Sequence, residues 1–145
     1  MLIREMPTRE CRALIARERL ARLGCSRDNQ PYIVPIYYIF AESQFFSFSM
    51  AGQKIDYMRT NPNVCLEIER FHQNRRWKSV IISGTFTELT QKAERQQAWE
   101  ILKVYNDWWE QGGFEAISNT EHMQQAPIYF TISINEMTGR EATPQ

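Results

Sequence analysis

Hydrophobic spacing divides the chain into segments of two kinds. Over residues 7–22, Cys11, Leu14, Ile15 and Leu20 recur at helical intervals behind Pro7-Thr8, in a stretch otherwise rich in arginine, which predicts a helix. From Leu20 the apolar segments shorten and are punctuated by turns. Leu20 to Cys25 and Pro31 to Phe40 flank Asp28-Asn29, good turn chemistry, and predict a hairpin. A second turn at 41–44 leads to Phe45-Phe46-Ser47-Phe48-Ser49. Alternation there puts Ser47 and Ser49 on one face and the phenyl rings of Phe46 and Phe48 on the other, a packed face and a polar one.

Met50-Ala51-Gly52 breaks that strand, and Gln53 to Thr60 reads as a short helix ended by Asn61-Pro62. Val64, Leu66 and Ile68 alternate with Cys65, Glu67 and Glu69, predicting a half-buried strand with an acidic polar face. After a polar loop at 71–76, Trp77 to Leu89 is a long strand with Gly84 inside it, the mark of a bend or bulge. Residues 91–110 carry Ala98, Ile101, Leu102, Tyr105 and Trp109 at helical spacing and predict the longest helix, ended by Gly112-Gly113. An irregular stretch follows, and Ile128 to Ile134 is the last strand. The expected fold class is mainly β with flanking helices, an antiparallel sheet closing into a small barrel, as one domain over residues 1–145.

Composition narrows the function classes. With 145 residues and 43% hydrophobic content the chain can bury one real core. Lys plus Arg equals Asp plus Glu at 17 each, so the basic excess of a dedicated nucleic-acid binder is missing. No apolar run approaches the ~20 residues of a membrane span, and the start has no signal-peptide core. We therefore expect a cytoplasmic protein with neither a nucleic-acid nor a membrane partner. Cys11, Cys25 and Cys65 are odd in number and widely spaced, and the only histidines are His72 and His122, so neither a disulfide framework nor a metal site is expected.

Three segments carry candidate chemistry. In Ser47-Phe48-Ser49-Met50-Ala51-Gly52-Gln53-Lys54, a strand delivers hydroxyls to a glycine turn that opens a helix with a lysine in its first turn. Unpaired amides and an ammonium make an anion site suited to phosphate, whereas the simpler alternative is a solvated surface lysine. In Pro31 to Tyr38, Pro35 cannot donate to a ladder and belongs at an edge or bulge, where backbone groups can face a ligand. Trp77-Lys78-Ser79, just after Arg75-Arg76, offers charge and stacking, or simply a wet strand end. Glu67 and Glu69 share a strand face but read as solvated carboxylates rather than an acid–base pair. Arg12, Arg17, Arg19 and Arg22 read as a solvated helix face, and Trp99, Trp108 and Trp109 as core or interface.

Taken in order, these segments resemble the pyridoxamine 5′-phosphate oxidase-like family of FMN-binding split β-barrel proteins. The carrying residues are Pro31-Tyr32-Ile33-Val34-Pro35-Ile36-Tyr37, Gly52-Gln53-Lys54 with Asn61-Pro62 and Val64, and Trp77-Lys78-Ser79-Val80 with Gly84, across roughly residues 5–90. Ile132 to Arg140 also resembles the end of the branch containing nitroimidazole-resistance proteins. The resemblance implies a homodimer with one FMN at each of two sites between the subunits. It implies that Val34, Pro35, Ile36 and Tyr37 run beside the isoalloxazine, that Ser47, Phe48 and Ser49 line the ribityl and phosphate path, and that Lys54 binds the phosphate. Ser79, with Lys78 beside it, would reach the flavin from the partner subunit.

Three departures limit the transfer. Gln53 stands where the family often has Arg or Lys before the phosphate lysine, which weakens the expected phosphate affinity. The chain also ends without an evident equivalent of the oxidase's substrate-binding Trp and Arg, and Ser47 stands where the nitroimidazole proteins can carry His, so neither substrate activity transfers. The expected function is an FMN-dependent oxidoreductase acting on a small molecule, electrons coming from a reduced nicotinamide. The alternatives are a non-catalytic flavin-binding or sensor protein, a deazaflavin- or haem-binding member of the same fold, or a structural domain with an empty groove.

Overall fold

The computed structural model describes residues 1–104 and 126–144. Eleven elements follow in chain order: β1 (Leu2–Glu5), α1 (Thr8–Arg17), β2 (Leu20–Arg27), β3 (Gln30–Tyr37), β4 (Ile39–Ala41), β5 (Gln44–Ser49), α2 (Gln53–Thr60), β6 (Asn63–Phe71), β7 (Trp77–Glu88), α3 (Lys92–Leu102) and β8 (Ile128–Thr143). The strands form one antiparallel sheet in the order β3-β2-β6-β7-β8-β5-β4, with β1 added to β8. This curled sheet with three helices is a split β-barrel, the fold class the sequence predicts.

The β2–β3 and β4–β5 turns are two-residue hairpins. Asp28 and Asn29 take left-handed φ of 51° and 63°, and Glu42 and Ser43 take 53° and 61°. Gly84 is where the sheet bends. The β7–β8 register shifts between Ser83 and Gly84, leaving Asn135 as the extra residue of a bulge, and a Cβ at Gly84 would fall against the Ser133 carbonyl oxygen. One core fills the curl, with Leu14 and Ile15 of α1, Leu23, Leu66, Ile68, Val80, Ile82 and Phe130. A second cluster seats α3 through Ala98 and Leu102 on Ile39, Phe46 and Leu89.

Several expected boundaries move. Cys11, Leu14 and Ile15 do share the buried face of α1, but the helix ends at Arg17, and Leu20 already pairs with Tyr37 and lies exposed in β2. Arg22 accordingly belongs to a strand and not to a helix face. The expected strand at 31–40 is divided at Tyr38, whose buried hydroxyl donates to the Ile15 carbonyl. The serine face of β5 is buried rather than exposed, because it is shared with Phe45 and turns into the barrel. The last strand runs nine residues past Ile134, held by pairing with β7 and β1. The predicted helix end at 105–110, Gly112-Gly113, Trp108, Trp109 and His122 lie outside the described residues.

Candidate functional site

Helix α2 places Lys54. Gly52 in extended backbone opens the helix with no side-chain cap on its first-turn amides, and the Asp56 amide closes the first turn on the Gly52 carbonyl. Ile55 and Met58 are fully buried, which pins the helix to the barrel and leaves Lys54 half-buried beside it. Burial holds the Lys54 ammonium below the ordinary lysine pKa, opposed by electrostatic attraction to the Cys25 sulfur. Among the described residues Lys54 has no ion pair. An ammonium partly withdrawn from water and given no internal anion is poised for an external one. Gln53 is exposed, its amide nitrogen 3.5 Å from the Tyr57 hydroxyl.

The β3 segment is an edge, as Pro35 suggests: it pairs with β2 on one side and, among the described residues, has no strand on the other. Its side chains divide. Ile36 is buried and Val34 packs against the core, whereas Pro35 and Tyr37 face out. A ligand beside β3 would therefore meet edge backbone together with Pro35 and Tyr37, not all four side chains. Ser47 of β5 is brought to the same place, its hydroxyl donating to the Tyr37 carbonyl at 2.7 Å. Ser49 donates instead to the Met50 carbonyl at 2.9 Å, and the Phe48 ring lies 6.1 Å from that of Tyr129 on the α3 side.

Lys78 and Ser79 go to different faces. Lys78 lies 3.6 Å from Glu141, which also takes Arg4 at 3.1 Å. Ser79 donates to Glu67 at 2.7 Å on the outer face of the sheet, where Arg22 lies 2.7 Å from Glu69 and 3.8 Å from Glu67. One guanidinium thus offsets part of the charge of the two carboxylates. Around this cluster the same face exposes Leu20, Ile33, Tyr37 and Ile81, an apolar surface of the kind that marks an interaction site.

Sequence reasoning missed an open groove of about 780 Å³ at the β2–β3 hairpin end of the sheet. Its walls include Gly24, Cys25, Ser26, Pro31, Tyr32, Ile33, Asn63 and Cys65, with Gly84 and Asn135 of the bulge at the far side. None of the residues Val34 to Tyr37, Ser47 to Ser49, Gln53, Lys54, Lys78 or Ser79 lines it. The groove joins α2 through Tyr32, whose ring is 5.7 Å from Tyr57, and through Ser26, which accepts from the Asn61 amide at 3.2 Å. The Arg27 guanidinium lies 4.6 Å over the Tyr57 ring. Gly84 and the Pro31-Tyr32-Ile33 end of the edge segment had a signal in the sequence. The other walls come from separate strands and converge through register alone.

The model of a family described as pyridoxamine 5′-phosphate oxidase matches residues 7–141, well beyond the segments that carry the sequence resemblance. An uncharacterised protein of Rhizobium meliloti (strain 1021) is 46% identical over 146 residues, covering 98% of this chain and 97% of that protein. A solved structure of an FAD-binding protein from Mesorhizobium loti is 37% identical, covers 99% of this chain and 100% of that one, and superposes with a TM-score of 0.80. The FAD-binding protein from Mycobacterium smegmatis, 19% identical over 97% of this chain and 100% of that one, shares the fold with a TM-score of 0.68. A candidate 5-nitroimidazole antibiotic resistance protein from Bacteroides thetaiotaomicron does so with 18% identity, 97% and 89% coverage, and a TM-score of 0.73.

Proposed function

The chain belongs to the pyridoxamine 5′-phosphate oxidase family, and on that premise we propose that it is a flavoprotein oxidoreductase, acting on a small molecule with FMN held at a homodimer interface. The observation that carries the reading is Lys54: a half-buried ammonium at an uncapped helix start, with no anion of its own among the described residues. A flavin phosphate supplies the missing charge. The edge backbone of β3, with Pro35 and Tyr37, lies beside the flavin ring, and the Ser47 hydroxyl holds the Tyr37 end of that edge in place. The bound flavin supplies electron transfer, while the protein binds it, orients it and excludes water.

The homodimer is supported by the outer sheet face, where Leu20, Ile33, Tyr37 and Ile81 are exposed around carboxylates already held by Arg22 and Ser79. A second copy covering that face meets Ser79, while Lys78 stays with Glu141 in its own protomer. Free Cys11 and Cys25 in the interior suit a reducing cytoplasm. FAD is a second reading of the cofactor, favoured by the Mesorhizobium loti relative's description as an FAD-binding protein.

The test is a visible absorbance spectrum of the purified protein, before and after adding FMN and removing the excess, with sedimentation velocity alongside. Retained flavin bands on a dimer are expected. A protein that retains no flavin, or a stable monomer that binds FMN normally, overturns the corresponding half of the reading.

A further inference from the structure

We propose that strand β1 is a second association edge, through which two copies of the homodimer join by antiparallel β1–β1 pairing into one continuous sheet. The contact makes no use of the flavin site and stands whether or not a flavin is bound. The sheet ends on β3 and β4, with β1 added beside β8, and these outer edges differ. β3 carries Pro31 and Pro35, which cannot donate to a further strand. β4 is three residues long and is covered by α3, Ile39 packing with Ala98 and Leu102. β1 has neither protection. All four of its residues are exposed, Leu2 by 56% and Ile3 by 52%, and among the described residues no strand pairs with its far side. An apolar edge left open in this way is a template for another strand.

The residues of β1 select another β1 as the occupant. Register places Ile3 opposite Ala142, Ala142 opposite Trp77 and Trp77 opposite Phe71, an apolar row that runs from exposed Phe71 to the open edge at Ile3. Antiparallel pairing with Ile3 opposite its own counterpart doubles that row across a two-fold axis. The same register sets Leu2 against Arg4, whose guanidinium is held aside by Glu10 at 3.3 Å and Glu141 at 3.1 Å, leaving its stem for the leucine. Cross-strand partners share a face, so a two-fold pairing is centred on a residue that meets itself. Centring on Arg4 sets like charges opposite each other, and centring on Leu2 leaves Arg4 and Glu5 without a partner in β1. Edge pairing lies in the plane of the sheet and leaves Leu20, Ile33, Tyr37 and Ile81 of the outer face to the other copy. The ladder is short, so the outer-face dimer forms first and its pairs join as concentration rises.

The experiment is sedimentation equilibrium over rising concentration, with disulfide trapping read on a non-reducing gel in a Cys65→Ser background that removes the exposed native thiol. Wild type is expected to grow from two chains to four. Ile3→Lys should stop at two while keeping the wild-type unfolding midpoint. Opposed Cα atoms stand about 4.5–5.5 Å apart in an antiparallel pair, within disulfide reach, so Ile3→Cys should link copies under mild oxidation and Leu2→Cys should not. Wild type that stays at two chains up to about 1 mM overturns the edge contact and leaves the outer-face dimer standing. Equal growth of Ile3→Lys, or linkage by Leu2→Cys as strong as by Ile3→Cys, also overturns it. Growth from one chain to two that Ile3→Lys abolishes upholds the edge contact and overturns the outer-face dimer. A monomer throughout overturns both.

Discussion

Replacing Lys54 with methionine removes one charge and keeps much of the apolar stem, which makes it the sharpest probe of the phosphate site. Two effects of opposite sign follow. In the ligand-free protein burial lowers the Lys54 pKa, so just below the ordinary lysine value of 10.5 the unfolded chain holds more protons than the folded one. Stability therefore rises with pH through that window, and at neutral pH the charged Lys54 opposes folding. Lys54→Met is expected to leave the flavin-free protein as stable as wild type or more so. With flavin bound the sign reverses. A charge-assisted contact to phosphate contributes about 1.5–3 kcal/mol, so its loss weakens flavin affinity about tenfold to a hundredfold.

The two effects separate in one assay, thermal unfolding with and without flavin. At a flavin concentration of about 100 times the wild-type Kd, binding adds about 2.7 kcal/mol; a tenfold weaker variant at the same concentration gains only about 1.4 kcal/mol. A merely structural lysine behaves differently: its variant loses stability equally in both conditions. Equal loss in both, or an unchanged flavin Kd on titration, refutes the assignment of Lys54 to the site.

Four further outcomes test the fold around it. Gly84→Ala should destabilise by about 1–3 kcal/mol in denaturant titration, because the new Cβ meets the Ser133 carbonyl oxygen and the Ile132 side chain. Ser43→Gly should stabilise by about 0.5–1 kcal/mol, since Ser43 holds a φ of 61° in the β4–β5 turn. The Arg59 hydrogen bonds, at 2.7 and 3.0 Å, hold the Glu88 carboxyl below its ordinary pKa, so the pair's stability is present at neutral pH and fades as pH falls below that of a free glutamate. Glu88→Gln should therefore cost about 0.5 kcal/mol at neutral pH and nothing in acid, read by denaturation at both. Ile81→Lys should shift sedimentation from dimer to monomer, as it puts a charge among the exposed apolar residues of the outer sheet face.

The local parts of the fold were legible because local chemistry decides them. Asp28-Asn29 tolerate left-handed backbone, and the turn is where they stand. Pro35 demands an edge and Gly84 a bulge, and both are found in those places. Gln53 to Thr60 is α2 to the residue. What failed was decided by pairing between distant strands. No proline or glycine lies between Arg17 and Leu20, so periodicity carries the helix onward, yet the Leu20–Tyr37 pair draws the backbone into β2. Asn135 to Arg140 includes weak strand formers, but past the bulge residue Asn135 β7 supplies a partner for every residue from Glu136 to Ala142. The same cause hid the groove, whose walls come from five strands that only register brings together.

The division of β3 between core and edge also bears on specificity. Val34 and Ile36 are committed to the core and cannot change without disturbing it, and Pro35 contributes no amide. A ligand lying along this edge is therefore read largely by main-chain groups, which are the same whatever the side chains, together with one anchor of the proposed site, the ammonium of Lys54 on α2. Such a surface recognises a cofactor by its shape and its phosphate and discriminates poorly between substrates. Discrimination then falls to side chains free to vary on the outer sheet face around Tyr37, Ile81 and Ser79, and to whatever a second copy sets against them. Substitutions at Lys54 should weaken flavin affinity without altering the choice of small molecule.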